Sequence, residues 1–401
     1  MSWVNLYALI GILSVLAAGG AIAHDTCVPV GAWVEPASGK IISHRDIVGR
    51  LSGDQKGVVL LGEAHNRRAH HRWQLQTLAA LFAHRSDIAI GFEMLPREAQ
   101  PVLDKWVAGK VSAHELLVES RWNEVWGVDP SLYMPLLDFA RMNRLRALAL
   151  NVPREFVRRV GDEGWESIPD SERQGLTDPV PASDAYRERL KKVYVLHLEE
   201  GHAAQENPDA VEDDDPNFDK FIQVQLTWDR AFAQTITEAQ QDPDVGLIVG
   251  IIGSGHLDHG DGVPRQLAQL GVSNVSVLLP WETSRDCRRL TADLADAVFG
   301  LDPPPAHGSP HAARRSKPRL GVRIHDSENG VRVIEVIAGS VAQNADIRAD
   351  DVIARAAGLS VSRTGELIAI VQRQAPGTWL PLVVKRNGQD IDIIAKFPIK
   401  Q

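Results

Sequence analysis

Five short apolar runs, separated by amphipathic stretches, constrain the fold of this chain more than any other feature. The runs are rich in Val, Leu and Ile, and they cover Val58–Leu61, Ile88–Phe92, Leu145–Leu150, Val245–Ile252 and Val275–Leu279. Between them, apolar residues recur at helical spacing, as in Leu75, Leu78, Leu81 and Phe82. Alternating strands and helices predict an α/β domain with a mostly parallel sheet flanked by helices. We place it at residues 31–300, with a helical insertion at residues 183–241.

Polar residues follow four of these runs at the point where each predicted strand ends. The first run leads into Glu63 and His65, the second into Glu93, the third into Asn151 and the fourth into His256. Because the carboxyl ends of parallel strands share one edge of a sheet, these side chains should converge there. Carboxylates and imidazoles together can bind a divalent metal or perform general acid–base chemistry. Each residue taken alone can equally be a helix cap, a solvated charge or a structural hydrogen-bonding group.

Composition argues against nucleic acid as a partner and indicates export. The formal net charge of the 401 residues is −9, whereas a phosphate-binding groove needs clustered Lys and Arg. The first 23 residues carry no charged side chain and end in the small-x-small pattern Ala21-Ile22-Ala23. We predict a signal peptide at residues 1–23 and a mature protein in the periplasm or envelope. An uncleaved membrane anchor stays open as the alternative.

The chain has two cysteines, Cys27 and Cys287, on the exported side of the predicted cleavage site. In an oxidising compartment they can form a disulfide that closes a long loop. Two free thiols are the alternative, and sequence alone does not decide between them.

A proline-rich segment at residues 301–318 has the composition of a linker, and the pattern changes beyond it. Residues 319–398 alternate short strands with one helix, and this order of motifs resembles a PDZ domain of the bacterial envelope type. The resemblance implies a small β-sandwich or barrel. It also implies that Leu320-Gly321-Val322 forms the loop that captures the C-terminal carboxylate of an envelope protein by β-augmentation. The alternative is a PDZ fold used only for docking or dimerisation, and a homodimer is left open.

The α/β part resembles the ChaN family of haem-binding uptake proteins, within the Tiki, TraB and erythromycin-esterase superfamily. The motifs that carry this likeness are Leu60–His65, His70-His71 with Gln74, Gly91–Met94, Asn151–Arg154, Gln225–Asp229, and Gly253–His256 with Gly262-Val263-Pro264. The resemblance implies haem or iron-complex binding for uptake or handling of iron at the bacterial envelope. It also implies an alternative, because Glu63, His65, Glu93 and His256 match the active centre of related hydrolases. Those are metal-dependent proteases, with a metal such as Mn, Co or Zn, or a macrolide esterase.

Haem needs an apolar slot and an axial ligand such as Tyr or His. Candidates lie together in the helical insertion: Tyr186, Tyr194, His197 and His202. Tyr194 and His197 are three residues apart and can share a helix face. Arg154 is a candidate partner for a haem propionate or an anionic substrate, or else for Glu93. Trp residues can line such a pocket or simply pack, as for Trp33, Trp122, Trp126 and Trp228.

Three functions are therefore carried forward from the sequence. The leading hypothesis is binding of haem or an iron complex, with docking of a partner through the PDZ domain. A metal-dependent hydrolase of the protease or esterase type is the alternative. A periplasmic scaffold whose α/β domain has no chemistry is the third.

Overall fold

The computed structural model describes residues 26–200, 215–304, 318–375 and 377–398, with the side chains of residues 197–200 outside that description. The predicted signal peptide, residues 305–317 of the predicted linker, and His202 also lie outside the described residues. In the described ranges, no helix combines the length and the apolar character that a membrane crossing requires.

An eight-stranded sheet forms the centre of the first domain. Its spatial order is β2-β1-β8-β7-β3-β6-β4-β5, and the six strands from β8 to β5 run parallel. The strands are β1 (Trp33–Glu35), β2 (Lys40–Ile42), β3 (Gly57–Glu63), β4 (Ile88–Pro96), β5 (Arg146–Asn151), β6 (Leu247–Gly253), β7 (Val275–Glu282) and β8 (Ala297–Leu301). The predicted α/β fold is confirmed. Strands β1, β2 and β8 were not predicted from the sequence, and β1 and β2 add an antiparallel hairpin to the edge of the sheet.

Helices cover both faces of the sheet. They are α1 (His44–Leu51), α2 (Arg68–Phe82), α3 (Gln100–Val107), α4 (Ala113–Glu119), α5 (Trp122–Val125), α6 (Met134–Asn143), α7 (Arg154–Glu163), α8 (Asp184–Glu200), α9 (Pro216–Gln240) and α10 (Val263–Gln269). Alternate residues of β3 enter opposite cores: Val59 joins Leu78 of α2, whereas Val58 joins Phe232 of α9. A strand buried on both faces must be continuously apolar, which explains the runs in the sequence.

Cys27 and Cys287 form a disulfide with a Cα–Cα distance of 5.7 Å, within the normal range for such a bridge. It links the start of the described chain to the segment between β7 and β8. The question that the sequence left open is thus answered by proximity across 260 residues.

A second, antiparallel sheet forms the C-terminal domain, with the order β14-β13-β11-β10-β9 and β12 beside β11. Its elements are β9 (Val322–Ser327), β10 (Gly330–Val336), α11 (Val341–Asn344), β11 (Val352–Ala356), β12 (Leu359–Ser360), α12 (Thr364–Gln372), β13 (Trp379–Arg386) and β14 (Gln389–Lys396). This domain has its own hydrophobic core, which includes Leu320 before β9, Val331 of β10 and Leu367 of α12. This architecture confirms the PDZ prediction, and it leaves β9 at an edge of the sheet.

Candidate functional site

The strand ends bring the four predicted residues together. Glu63 closes β3 opposite Gly253 of β6, and His65 follows two residues later. One ligand atom from each of Glu63, His65 and Glu93 lies within 4.8 Å of the others. His256 follows β6 in a single 3-10 turn, and its Nε2 is 3.8 Å from Glu93 Oε1. The convergence predicted from parallel-strand geometry is therefore present.

Helix α2 holds the turn after β3 in place. The Ala64 N–H donates to His70 Nδ1 at 2.9 Å, and His71 Nε2 donates to the carbonyl oxygen of His65 at 3.1 Å. Gln74 Nε2 donates to the carbonyl oxygen of Leu61 at 2.9 Å. These hydrogen bonds satisfy backbone groups at a buried strand end. They also fix the backbone positions from which the Glu63 and His65 side chains project.

Glu63 and His65 belong to the first of two matching hydrogen-bonded triads, each made of a tyrosine, a carboxylate and a histidine. The Tyr133 hydroxyl donates to Glu63 Oε1 at 3.0 Å, and His65 Nδ1 lies 2.6 Å from the same oxygen. Burial alone would lower the pKa of His65, but the hydrogen bond to Glu63 and the charge of Glu93 raise it overall. Burial, followed by the charges of Glu63 and Glu93, raises the pKa of Tyr133, so the phenol keeps its proton and acts as a donor.

Asp229 and His256 belong to the second hydrogen-bonded triad. The Tyr186 hydroxyl donates to Asp229 Oδ2 at 2.9 Å, and His256 Nδ1 lies 2.7 Å from Asp229 Oδ1. Burial would lower the pKa of His256, yet the charge and hydrogen bond of Asp229 raise it to about 9. In both triads a tyrosine hydroxyl donates to a buried carboxylate, and that carboxylate is hydrogen-bonded to Nδ1 of a histidine. Nε2 is then the ring nitrogen left for a ligand.

Glu93 lies between the two histidines and is almost fully buried. Its Oε2 accepts a hydrogen bond from the Gly253 N–H at 2.5 Å, and its carbonyl oxygen accepts one from Asn151 Nδ2 at 3.0 Å. Burial raises the pKa of Glu93, although the charges of His256 and His65 oppose this rise. A buried carboxyl group whose pKa is raised in this way is a candidate for general acid–base chemistry.

Two glycines make room for these side chains. A Cβ at Gly253 would lie 2.9 Å from His65 Cε1, closer than carbon atoms pack. A Cβ at Gly262 would lie 2.4 Å from the carbonyl oxygen of His256 and 2.9 Å from Asp229 Oδ1. Gly253 is thus required by the close approach of the His65 ring, and Gly262 by the close approach of the His256 backbone and the Asp229 carboxylate.

A cleft of about 590 Å³ opens above these residues. Its apolar walls come from four different elements and their flanks: Val125, Trp126, Val152, Val157, Leu190, Val193 and Trp228. Trp126 meets the His65 ring edge-on, with centroids 4.6 Å apart. Arg154 lines the same cleft, and its Nη1 donates to the carbonyl oxygen of Glu124 at 2.7 Å rather than to Glu93. Of the four Trp residues considered from sequence, Trp126 and Trp228 line the cleft, whereas Trp33 and Trp122 are buried in the core.

Three of the haem ligands predicted from the sequence, Tyr186, Tyr194 and His197, lie on α8, which supplies one wall of the cleft. Among the described residues, those that line the cleft do not include Tyr186 or Tyr194. Tyr186 is buried against α9 with its hydroxyl on Asp229, and Tyr194 packs on Phe218 and Phe221 with centroids 5.5 and 5.3 Å away. The backbone of His197 continues α8, but its side chain, like the whole of His202, is outside the description.

Sequence reasoning missed two members of the site, Tyr133 and Asp229. Asp229 was visible in the Gln225–Asp229 motif, but nothing in the sequence showed that α9 turns it toward His256. Tyr133 carried no signal at all, because the Pro130–Leu132 3-10 turn that presents it has no recognisable motif.

The PDZ domain has a second candidate site beside β9. Carbonyl oxygens of Leu320 and Gly321 accept hydrogen bonds from the N–H groups of Ala342 and Ile337 at 2.8 and 2.9 Å. Within the part of the chain that the structure describes, no backbone hydrogen bond from the Leu320 or Gly321 N–H is found. Gly321 has a φ of +82°, a conformation that suits a loop whose N–H groups converge on an anion.

Comparisons with known proteins agree with both domains. The profile of the family described as "Haem-binding uptake, Tiki superfamily, ChaN" matches residues 52–267, and that of the PDZ domain matches residues 318–396. A search of curated proteins gives no match. The structure is similar to one described as cofacial haem binding to ChaN of Campylobacter jejuni. The TM-score is 0.50 and the identity 20%, over 67% of this chain and 95% of that one, which shows a shared fold.

Two further structures are similar over a small part of this chain. The PDZ domain of HtrA3 bound to a phage-derived ligand is 24% identical over 20% of this chain and 84% of that one, with a TM-score of 0.19. A serine endoprotease from Yersinia pestis is 22% identical over 23% of this chain and 33% of that one, with a TM-score of 0.20. On the strength of the family profile, which spans more than half of its length, the chain belongs to the ChaN family of the Tiki superfamily and carries a C-terminal PDZ domain.

Proposed function

We propose that this protein binds haem in the strand-end cleft and takes part in iron uptake or handling at the bacterial envelope. The observation that carries the proposal is the cleft itself, in which two carboxylate-backed imidazoles lie beside apolar and aromatic walls in a ChaN-type domain. Haem binding is what the description of the C. jejuni structure reports for that protein. For this chain we propose the same ligand, haem, but not the cofacial arrangement.

The residues present suit a haem. A cleft of about 590 Å³ falls within the roughly 300–1,000 Å³ of small-ligand sites, and its Trp, Val and Leu side chains suit a porphyrin face. His65 is our choice for the axial ligand, because Glu63 holds Nδ1 and leaves Nε2 for the iron. Arg154 is the partner we assign to a propionate. Tyr194 and His197 of α8 stay the alternative axial ligands.

A haemin titration of residues 24–401, followed in the Soret region, tests this proposal. We expect a saturable shift, and we expect His65→Ala to displace the band and weaken binding about tenfold or more. Exposed His84, which follows α2, provides the matched control, since His84→Ala removes an imidazole away from the cleft. If Tyr194→Phe or His197→Ala removes the shift and His65→Ala does not, the ligand assignment is wrong. A titration without any saturable shift contradicts haem binding.

A second function, a metal-dependent hydrolase, is favoured by one observation. Glu63, His65 and Glu93 can each offer a ligand atom within 4.8 Å of the others, and Glu63 Oε2 is buried with no hydrogen-bond partner among the described residues. A divalent ion held there would supply an activated water. Metal analysis of the purified protein, with peptide and ester substrates assayed in parallel, tests it. Bound Mn, Co or Zn that is lost in His65→Ala, without any haemin shift, would favour the hydrolase.

The remaining parts of the proposal concern location and docking. We propose that the protein is exported, which the Cys27–Cys287 disulfide and the uncharged N-terminal segment support. We also propose that a partner's C-terminal peptide adds to the edge of β9, with its carboxylate at the Leu320-Gly321-Val322 loop. N-terminal sequencing of the mature protein should begin at His24. Retention of Met1 would instead indicate an uncleaved segment.

A further inference from the structure

The PDZ domain is attached to the first domain through the helix that flanks its own groove. Arg363, at the N-terminus of α12, donates from Nη1 to both carboxylate oxygens of Glu124, at 3.0 and 2.8 Å. Two residues on, a Cβ at Gly365 would lie 3.4 Å from Asn123 Cβ, so the two helices are in close contact. Farther along, a small gap of about 150 Å³ lies between the C-terminal end of α12 and residues 127–130. Helix α12 therefore contacts α5 near its N-terminus and faces residues 127–130 across this gap near its C-terminus.

Helix α5 is also the rim of the haem cleft. Its last residue, Val125, and the following Trp126 line the cleft, and Trp126 packs on the ring of His65. Glu124 connects the two sides directly. Its carboxylate accepts from Arg363 of the PDZ domain, whereas its carbonyl oxygen accepts from Arg154 of the cleft at 2.7 Å. Any displacement of α5 thus moves groups on two walls of the cleft.

Helix α12 is in turn one side of the peptide groove. Asp326 of β9 accepts a hydrogen bond from the Thr364 N–H at 2.6 Å, which joins the edge strand to the start of α12. Because β9 pairs on one side only with β10, a peptide that adds to its free edge must lie between β9 and α12. Helix α12 therefore contacts both the edge strand of the groove and α5.

We propose that peptide binding in the PDZ groove lowers the affinity of the cleft for haem, through the contact of α12 with α5. This inference rests on the proposed function, since it names how the haem site is regulated. A peptide presses α12 against α5, and α5 carries Val125 and Trp126 into the space that the porphyrin occupies. Coupling between sites is reciprocal, so haem lowers the affinity for the peptide by the same factor. We expect a factor of about 5 to 100, the usual size of such coupling.

The test uses the full chain without its first 23 residues, with haemin as one ligand. The other ligand is a hexapeptide selected against this protein from a random library with free C-terminal carboxylates. Haemin dissociation constants are measured with and without saturating peptide, and peptide dissociation constants with and without haemin. The amidated form of the same peptide is the ligand control, because it lacks the carboxylate that the loop binds. We expect the free peptide, but not the amide, to weaken haemin binding at least fivefold.

Arg363→Ala separates coupling from binding. It removes the link to Glu124 while Arg121 Nε, at 2.7 Å, still pairs with that carboxylate, so no charge is left buried alone. The variant should bind haemin within twofold of the unchanged protein and should lose the effect of the peptide. Gly365→Leu, whose side chain would press on Asn123 of α5, should by itself weaken haemin binding. Arg348→Ala removes another exposed PDZ arginine, which pairs with Asp346, and should keep the coupling.

The outcomes are distinguishable. An unchanged or tighter haemin constant in the presence of bound peptide overturns the coupling and leaves haem binding intact. Coupling that persists in Arg363→Ala, or haemin binding that is unchanged in Gly365→Leu, overturns the assigned route. If haemin itself does not bind, or if the library yields no peptide, that part of the proposed function fails and the coupling fails with it.

Discussion

The raised pKa of His256 makes stability fall at alkaline pH, and Asp229→Asn should reduce this fall. Burial lowers the pKa of His256, but the Asp229 carboxylate, 2.7 Å from Nδ1, raises it to about 9. Between pH 6.5 and 9 the folded protein keeps a proton that the unfolded chain has lost. Folded stability from this source is therefore complete below pH 6.5 and is lost as pH rises through 9.

The magnitude follows from the size of the shift. At about 1.4 kcal/mol per pH unit, a rise from 6.5 to about 9 contributes about 3 kcal/mol to the free energy of unfolding. In Asp229→Asn the burial stays while the charge of residue 229 is gone, so the pKa of His256 should fall, with the charge of Glu93 still raising it. The variant should be less stable at pH 6, and its stability should decline less between pH 6.5 and 9.

The assay combines NMR titration of the His256 Cε1–H signal with urea unfolding at pH 6 to 9, on protein freed of haem and, by EDTA, of metal. Tyr186→Phe is the matched control, because it removes the hydrogen bond at Asp229 Oδ2 but leaves the carboxylate charge. The control should keep a raised pKa. A His256 signal that titrates near pH 6.5 in the unchanged protein, or at the same pH in Asp229→Asn, refutes the reasoning.

Three further predictions concern other parts of the chain. Burial lowers the pKa of His70 to about 4, and its Nδ1 accepts the Ala64 N–H, so acidification from pH 6.5 to 5 should cost about 2 kcal/mol of unfolding free energy by urea titration. His70→Gln should lose that dependence, and an unchanged slope would count against the assignment. Reduction of the Cys27–Cys287 bridge should lower stability by up to about 5 kcal/mol, because it frees a loop of 260 residues. Thiol titration of the unfolded, unreduced protein should find no free thiol, and two thiols would contradict the bridge. Gly321→Ala should abolish binding of the selected peptide in fluorescence anisotropy, since its Cβ would lie 2.2 Å from Ser340 Cβ, whereas Gly388→Ala, with φ +81° but open space around it, should bind normally.

Local patterns were sufficient for the strands that define the site. The runs at 58–61 and 245–252 predicted β3 and β6, because a strand buried on both faces needs uninterrupted apolar residues. The rule that parallel strands share a carboxyl edge then placed Glu63, His65, Glu93 and His256 together. The PDZ domain was equally accessible from the order of its motifs.

What the sequence did not predict depends on contacts between distant residues. Strand β1 is three residues long and pairs with β8 more than 260 positions away, so neither length nor periodicity marks it. The Cys27–Cys287 pairing has the same origin. Asp229 and Tyr186 meet because α9 and α8 cross beside β6, and the facing sides of two helices are set by packing. For this reason Tyr186 was predicted from the sequence as a haem ligand, whereas its hydroxyl donates to Asp229.

The central claim, that haem binds in the strand-end cleft, is tested most directly by filling the cleft. Gly255 lines it, its φ lies outside the left-handed region, and a Cβ there would meet nothing within 4 Å, so Gly255→Trp occupies the space without a backbone clash. Gly49 of α1 is equally open and exposed, which makes Gly49→Trp the matched control. In haemin titrations we predict that Gly255→Trp binds at least tenfold more weakly while Gly49→Trp binds normally. Normal haemin binding by Gly255→Trp would contradict the account.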